Sequence, residues 1–544
     1  MNFSLSYWVR TACLAVSLSS PLLGAAEIKV EAPPANGKTK TIGEALEKAR
    51  PGDTLLLGAG IYYERVIIHK PVTIQGEQGT ILDGSLAFEG EWKAADDELP
   101  GVYVLPMKHR PKGVLWDEKI IAGLDFRRAE KKGEWHWKTL LKKGPPLSGF
   151  EQIKALSIFH PEEKRLYVRL PDGEKPDARR LRYIKNDEAL VTLQNTKNVT
   201  LSGLTLRHGA DAIKLENAGQ CRIEKCEITS FEKNGILITD DSHNSVVEGC
   251  KIERGALEEW TPNLKDNKIN YEIWLIHKEV GYYDRIGINL FRAGSNNRVL
   301  NNHISLVFDG VCIGDYACES LDKPLTHPDH GRGTVIAGNI IENTRDSGIE
   351  LGVGCIDVHV HHNTLRKTHG GFRFKTPRIG PVFIHHNLLV DGSPFNFWFS
   401  MDASPAIGYI YHNTIVNGSA ALSLLIHKPT EEFTAPKWHF YNNLVLTKAG
   451  FFKNRKKGLA IDFSSGNNIT TAGNPPWPED KERDADSRYD VDIPLAEPTA
   501  DKPVTAAIDA GRDLSTLLDG KPLPGAERST VKGKAPDVGM LEWK

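Results

Sequence analysis

The chain has 544 residues, 40% of them hydrophobic and 25% charged, with 68 Lys and Arg against 70 Asp and Glu. That balance offers no basic face for neutralising phosphates, which argues against a nucleic-acid partner. Hydrophobic runs recur along the whole length, which argues against disorder, and no run of about 18 apolar residues is present to span a membrane.

In chain order, the first segment reads as an export signal. Arg10 precedes a short apolar stretch, Ala12 to Leu23, broken by serines and Pro21, and Gly24-Ala25-Ala26 supplies a small-residue cleavage site. Residues 1–26 are therefore expected to be a signal peptide, and the protein secreted or periplasmic. Cys221, Cys226, Cys250, Cys312, Cys318 and Cys355 would remain after cleavage, too few in so long a chain for a disulfide scaffold. Residues 27–86 read as an N-terminal cap and the first coils of a stacked structure. Thr41 and Glu44 suggest a capping box for a short helix to Arg50, and Pro51-Gly52-Asp53 turns the chain into strands around Leu55, Val66 and Val72. Residues 87–187 carry Trp92, Trp116, Trp135 and Trp137 between charged stretches, with strand-like "GVYVLPM" and "RLYVRLPDG". This reads as an inserted β-rich subdomain whose tryptophans are local core, with sugar platforms as the alternative.

Residues 188–454 repeat one phrase: a short apolar strand, a turn, a second strand, then Asn or a small residue. The returning positions are Gly203, Cys226, Cys250, Asn302, Asn339, Asn363, Asn387, Asn413 and Asn443, a spacing of about 24 residues with two insertions of about 28 and 13. The runs are short, β-branched and bounded by Gly, Asn or Asp, which is strand grammar rather than helix grammar. One unit cannot enclose a core, but units stacked at the strand spacing bury a continuous apolar column. The Asn positions would then form a ladder, with Cys226 and Cys250 in it as stacked thiols. The fold class is all-β: a parallel solenoid with an inserted subdomain. Residues 455–544, rich in Pro, Asp and Lys and without the period, are expected as a tail packed on its outside. Such stacking needs no second copy, so a monomer is expected.

From about Thr41 to Asn454 the chain, with its entry segment "TIGEALEKARPGDTLLLGAGIYYERVIIHKPVTIQGEQGTILDG", resembles the right-handed parallel β-helix of the pectin-lyase-like superfamily. The resemblance implies that fold and a carbohydrate-active function. The string "RFKT" at Arg373 to Thr376 resembles the Arg-x-Lys motif of polygalacturonases, where the cations hold the substrate carboxylate, although the Asn-Thr-Asp and paired-Asp motifs of that family are absent. The loop "LTHPDHGRG" is similar in letters to the Asp-Pro-His-Asp motif of alginate epimerases but differs in order, so no role is transferred.

Strict alternation sets the facing of one strand per unit. Ile213, Ile236, Ile288, Val311, Ile349, Phe372, Phe397 and Leu422 point inward. Lys214, Leu237, Asn289, Cys312, Glu350, Arg373, Trp398 and Ser423 point outward, followed two residues on by a row containing Lys375. Glu350, Arg373, Lys375 and Trp398 would then lie within about 5 to 10 Å of one another on an open face. The insertions, roughly 256–285 and within 315–332, would wall that face into a groove. Glycosidic hydrolysis needs two carboxyl groups: Glu350 is the leading candidate, with Asp309, Asp315 or Asp346 as its partner. Arg373 and Lys375 would hold a uronate or sulfate, or else pair with Glu350. Trp398 would stack on a sugar ring or shield the sheet, while His327, His330 and Asp402 border the groove. Their spacing diagnoses no metal. The expected partner is a polysaccharide or oligosaccharide, cleaved by hydrolysis without a cofactor. The alternatives are a lyase in which Lys375 or Arg373 takes the C5 proton, with Ca²⁺ available to neutralise the uronate, and a non-catalytic carbohydrate-binding solenoid.

Overall fold

The computed structural model describes residues 25–33, 41–129, 133, 136–143, 155–255, 285–314, 329–375, 379–392, 395–400, 406–416, 422–425, 438–448, 452–453, 463–473, 484–499, 501–515, 521–527 and 531–541. Most of the expected signal peptide, most of both insertions, Cys318, Asp315, His327 and Asp402 lie outside these residues.

Each coil carries three short strands, and successive coils pair in parallel to build three sheets of 14, 12 and 11 strands. We term them sheets A, B and C. Sheet A begins at Glu27–Val30, sheet B at Gly60–Tyr62 and sheet C at Val66–Ile68. The inward column of sheet C is in register from coil to coil, with Ile213, Ile236, Ile288, Val311, Ile349, Phe372 and Phe397 successive partners. Each of these side chains is fully buried, and Phe372 stacks on Phe397 at 5.1 Å. They belong to one apolar column that runs from Val30 to Val445. Its stability comes from burial between neighbouring coils, as in any stacked repeat.

An asparagine ladder bonds the coils at one corner. Asn302, Asn339, Asn363, Asn387, Asn413 and Asn443 each donate Nδ2–H to the Oδ1 of the next, ending on Asn468, at 2.9 to 3.1 Å. Each also donates its backbone N–H to the same acceptor, as Asn387 does to Asn413 Oδ1 at 3.0 Å. Cys226 and Cys250 extend the column as buried free thiols, and Cys250 N–H donates to Asn302 Oδ1. Gly203 is one place out of this column: Thr205 pairs with Glu227, so Leu204 is the residue level with Cys226. Gly203 instead takes the left-handed turn, at φ 66°, that precedes the column.

Two features near the amino terminus fix the insertion. The helix Thr41–Lys48 buries Ile42, Ala45 and Leu46 on the first coils. Its amino end is capped from a distance, because Glu64 Oε1 accepts the Ile42 N–H at 2.8 Å and Glu64 Oε2 the Gly43 N–H at 3.2 Å. The expected Thr41–Glu44 box is thus replaced by a carboxylate the sequence places more than a strand away. Strands between Leu86 and Ile184 form a separate eight-stranded sheet. The coil resumes directly upon the one it left, with Val191 beside Val66 and Thr205 beside Ile81. A hairpin tip of the separate sheet is pinned to the coils where Glu118 O meets His208 Nε2 at 2.9 Å and accepts Ser230 Oγ–H at 3.0 Å.

At the other end, Val491, Ile493, Val504, Ile508 and Met540 pack on Leu388, Val416 and Leu444 of sheet B. Leu514, Leu523 and Ala526 pack on Phe383, Tyr409 and Tyr411 of sheet A. Among the described residues, no helix is long and apolar enough to cross a membrane.

Candidate functional site

The outer face of sheet C carries Glu350, Arg373 and Trp398 on three consecutive coils, each the Cα partner of the next. Glycines set the approach to this row. A Cβ at Gly348, within Glu350's own strand, would meet Gly371 O of the next coil at 2.9 Å and Leu365 at 2.7 Å, so the coils pack this closely only around a hydrogen. Asp346 immediately precedes that strand and reaches the same row through Arg373.

The charges converge on Arg373. Its Nη1 lies 3.2 Å from Asp346 Oδ2 and 3.5 Å from Glu350 Oε2, and its guanidinium sits 4.2 Å from the centre of the Trp398 ring. Lys375 Nζ stands 3.0 Å from Glu350 Oε1. Glu350 Oε2 is buried and makes no hydrogen bond among the described residues, which leaves an acceptor beside two cations. A buried carboxylate oxygen in that state is unusual in a structural ion pair, where lone pairs are normally filled.

The expectation of an open face is corrected here. Asp346 is 3% exposed, Glu350 4%, Trp398 7% and Arg373 8%. Alternation along a strand reports which side of the sheet a residue takes; it carries no information on what covers that side. Trp398 accordingly lies over Arg373 in a cation–π contact rather than presenting a bare face.

Asp309 sits on the coil before Glu350, two residues ahead of Val311, and its Oδ1 accepts the Ser347 N–H at 2.9 Å. His330 lies between sheets C and A, its Nε2 3.1 Å from Asp241 Oδ1. Two further groups escaped the sequence reading. His369 is buried ahead of Arg373's strand, in the fields of Asp346 and Arg373, and burial pushes its imidazole below the ordinary range toward the neutral form. Its Nδ1 makes no hydrogen bond among the described residues. Asp211 occupies the row of Asp309, three coils away through Asn234 and Ile286. Burial raises its carboxyl despite hydrogen bonds donated by Asn234. Both residues lie at or just before a strand's first position, where side-chain direction does not follow the period-two rule. Among the described residues no group of three or more His, Cys, Asp or Glu is arranged to hold a metal ion.

The described residues form a right-handed parallel β-helix. Residues 189–376 match the family model described as the right-handed β-helix region. Among solved structures it is similar to XylC in complex with xylose (16% identity, 82% of this chain and 76% of that one, TM-score 0.47). It is also similar to the pectate lyase Pel9A (11%, 96% and 97%, TM-score 0.41) and to a polygalacturonase from Erwinia carotovora ssp. carotovora (10%, 87% and 96%, TM-score 0.38). No curated protein sequence matches the chain.

Proposed function

We propose that the protein is an exported carbohydrate-active enzyme that hydrolyses glycosidic bonds of an acidic or sulfated polysaccharide at the Glu350 face of sheet C. The observation that carries this reading is Glu350 itself: one oxygen on Lys375, the other buried beside Arg373 and without a hydrogen bond among the described residues. A carboxylate held this way can activate water or attack the anomeric carbon, and Asp346 or Asp309 is the nearby carboxyl to protonate the leaving oxygen. Arg373 and Lys375 supply positive charge for a uronate or sulfate group once substrate competes for them.

Elimination is the second reading, and one observation changes its form. Lys375 Nζ is engaged by Glu350 Oε1 at 3.0 Å, and Arg is not deprotonated in proteins. Neither suits a base. The buried neutral imidazole of His369 would be the proton acceptor in a lyase. The deciding experiment incubates purified protein with uronate, sulfated and neutral glycans and follows reducing ends together with the ultraviolet absorbance of a new C4–C5 double bond. Reducing ends alone mean hydrolysis. Both signals rising together overturn hydrolysis in favour of elimination, and silence on every glycan overturns both.

A further inference from the structure

A cleft of about 730 Å³ lies where the eight-stranded sheet meets the coils, away from the Glu350 cluster. Its lining includes six basic side chains, His109, Arg110, Lys112, Lys185, Lys233 and Arg285. Three carboxylates line it too, and each is engaged: Asp125 by Arg110 at 2.8 Å, Asp187 by Lys112 at 2.6 Å, and Glu232 by Arg285 at 2.6 Å. Glu232 is held a second time, by Arg254 at 3.2 Å. Lys185 and Lys233 are exposed, and neither makes an ion pair among the described residues. Cations thus outnumber the carboxylates, and a concave site with a net positive excess concentrates anions.

The position of the cleft says what kind of anion suits it. Lys233 immediately precedes the sheet C strand Asn234–Thr239, and Arg285 immediately precedes Ile286–Phe291. These strands lie three and two coil steps from the strand of Glu350, or about 14 and 10 Å along the coil axis. One extended polymer with a negative charge on successive units can reach both places, whereas a single small anion cannot.

Resting on the reading of the Glu350 face as a polysaccharide site, we infer that this cleft is a second subsite for the same chain, binding carboxylate or sulfate groups a few sugar units from the cleavage point. The eight-stranded sheet then supplies one wall of a substrate track rather than serving as a decoration of the solenoid.

The test is affinity electrophoresis of the full chain through gels containing polygalacturonate, dextran sulfate or neutral dextran. Wild type is compared with the double substitution Lys185→Glu, Lys233→Glu, two exposed positions whose change leaves the cores untouched. At least tenfold weaker retention on one anionic polymer, unchanged behaviour on dextran and a shallower salt dependence are expected. Loss on polygalacturonate assigns carboxylate, and loss on dextran sulfate assigns sulfate. Equal retention of the two proteins on both anionic polymers overturns the subsite, even where the wild type cleaves one of them. Conversely, lysine-dependent retention by a protein that cleaves nothing supports the subsite and counts against the hydrolase reading alone.

Discussion

Lys375 and Glu350 stand 3.0 Å apart on adjacent coils, with their side chains 17% and 5% exposed. The pair is buried rather than superficial, and this changes what Glu350→Gln is expected to do. On an exposed sheet the substitution would cost under about 1 kcal/mol. Here it removes a carboxylate that Lys375 and Arg373 share while Arg373 keeps Asp346 at 3.2 Å, and losing a charged partner in a largely buried cluster costs about 1–3 kcal/mol. If Glu350 is also the catalytic carboxylate, turnover per folded molecule falls by about a hundredfold or more. Both quantities are to be read together, turnover below the melting transition and stability by thermal denaturation. A folded Glu350→Gln protein with wild-type turnover would remove Glu350 from the mechanism.

A second expectation concerns the ladder. Asn387→Ala removes an amide that donates to Val360 O, His385 O and Asn413 Oδ1 and accepts from the N–H and Nδ2–H of Asn363. Buried groups left without partners cost about 1–3 kcal/mol each, so the denaturation midpoint should drop well beyond the effect of an ordinary surface change. Asn468→Ala, at the end of the ladder, should cost a comparable amount, because Asn443 donates both its N–H and its Nδ2–H to Asn468 Oδ1. Equal midpoints for wild type and Asn387→Ala would show that the ladder follows the stack instead of holding it.

The ladder and the inward column were legible because each rests on a local rule repeated many times: one Asn per coil, one alternation per strand. Where a coil breaks the rule, the reading slips by a place, as it did at Gly203, since Leu204 carries no asparagine signal. The site was legible only in part. Strand positions such as Glu350 and Arg373 follow from period two, but Asp346 and His369 lie just before their strands begin, where the period-two rule does not set side-chain direction. The cap from Glu64 joins residues distant in sequence, and no local pattern announces it.

Asp83 gives a third expectation, on acid stability. Burial alone would raise its carboxyl, yet hydrogen bonds from His208 and Ser85 and the charge of Arg207 hold it well below the usual carboxylate range. His208 Nδ1 lies 2.8 Å from Asp83 Oδ1, and Arg207 Nε donates to Oδ2 at 2.8 Å. With the folded value depressed, this stabilisation is complete above the unfolded value of about 3.9 and is lost as pH falls through the folded one. Asp83→Asn should therefore lower the melting temperature at neutral pH, and the gap to wild type should close as pH falls below about 4. A gap that stays constant with pH would mean that lost packing, not lost charge, accounts for it.

The last expectation comes from the histidines stacked along sheet A and its corner. His361 stacks on His385 at 5.0 Å, His362 on His386 at 5.1 Å and His386 on His412 at 5.1 Å. Burial is the first cause pushing all five imidazoles down, and for His361, His385 and His386 neighbouring histidines add to it. His361 and His412 are lowered to about 4. The C-terminal tail lies against this stack: Gly525 packs on His385, and Tyr411, itself stacked on His385, bonds Pro524 O through its hydroxyl. An imidazole lowered on folding binds fewer protons in the folded state than in the unfolded one. The stabilisation is then whole above the unfolded value of about 6.5 and declines as pH falls toward about 4. Melting temperature should drop across that window, and amide exchange around Gly525 should quicken before exchange in sheet C does, because the tail can leave without unstacking the coils. His386→Asn is the informative variant, since Asn tolerates the left-handed backbone His386 adopts, at φ 53°, and carries no titrating group. It should flatten the pH dependence of the tail's exchange while leaving the neutral-pH rate near that of wild type. An unchanged pH profile in His386→Asn would show that the stack packs the tail without sensing protons.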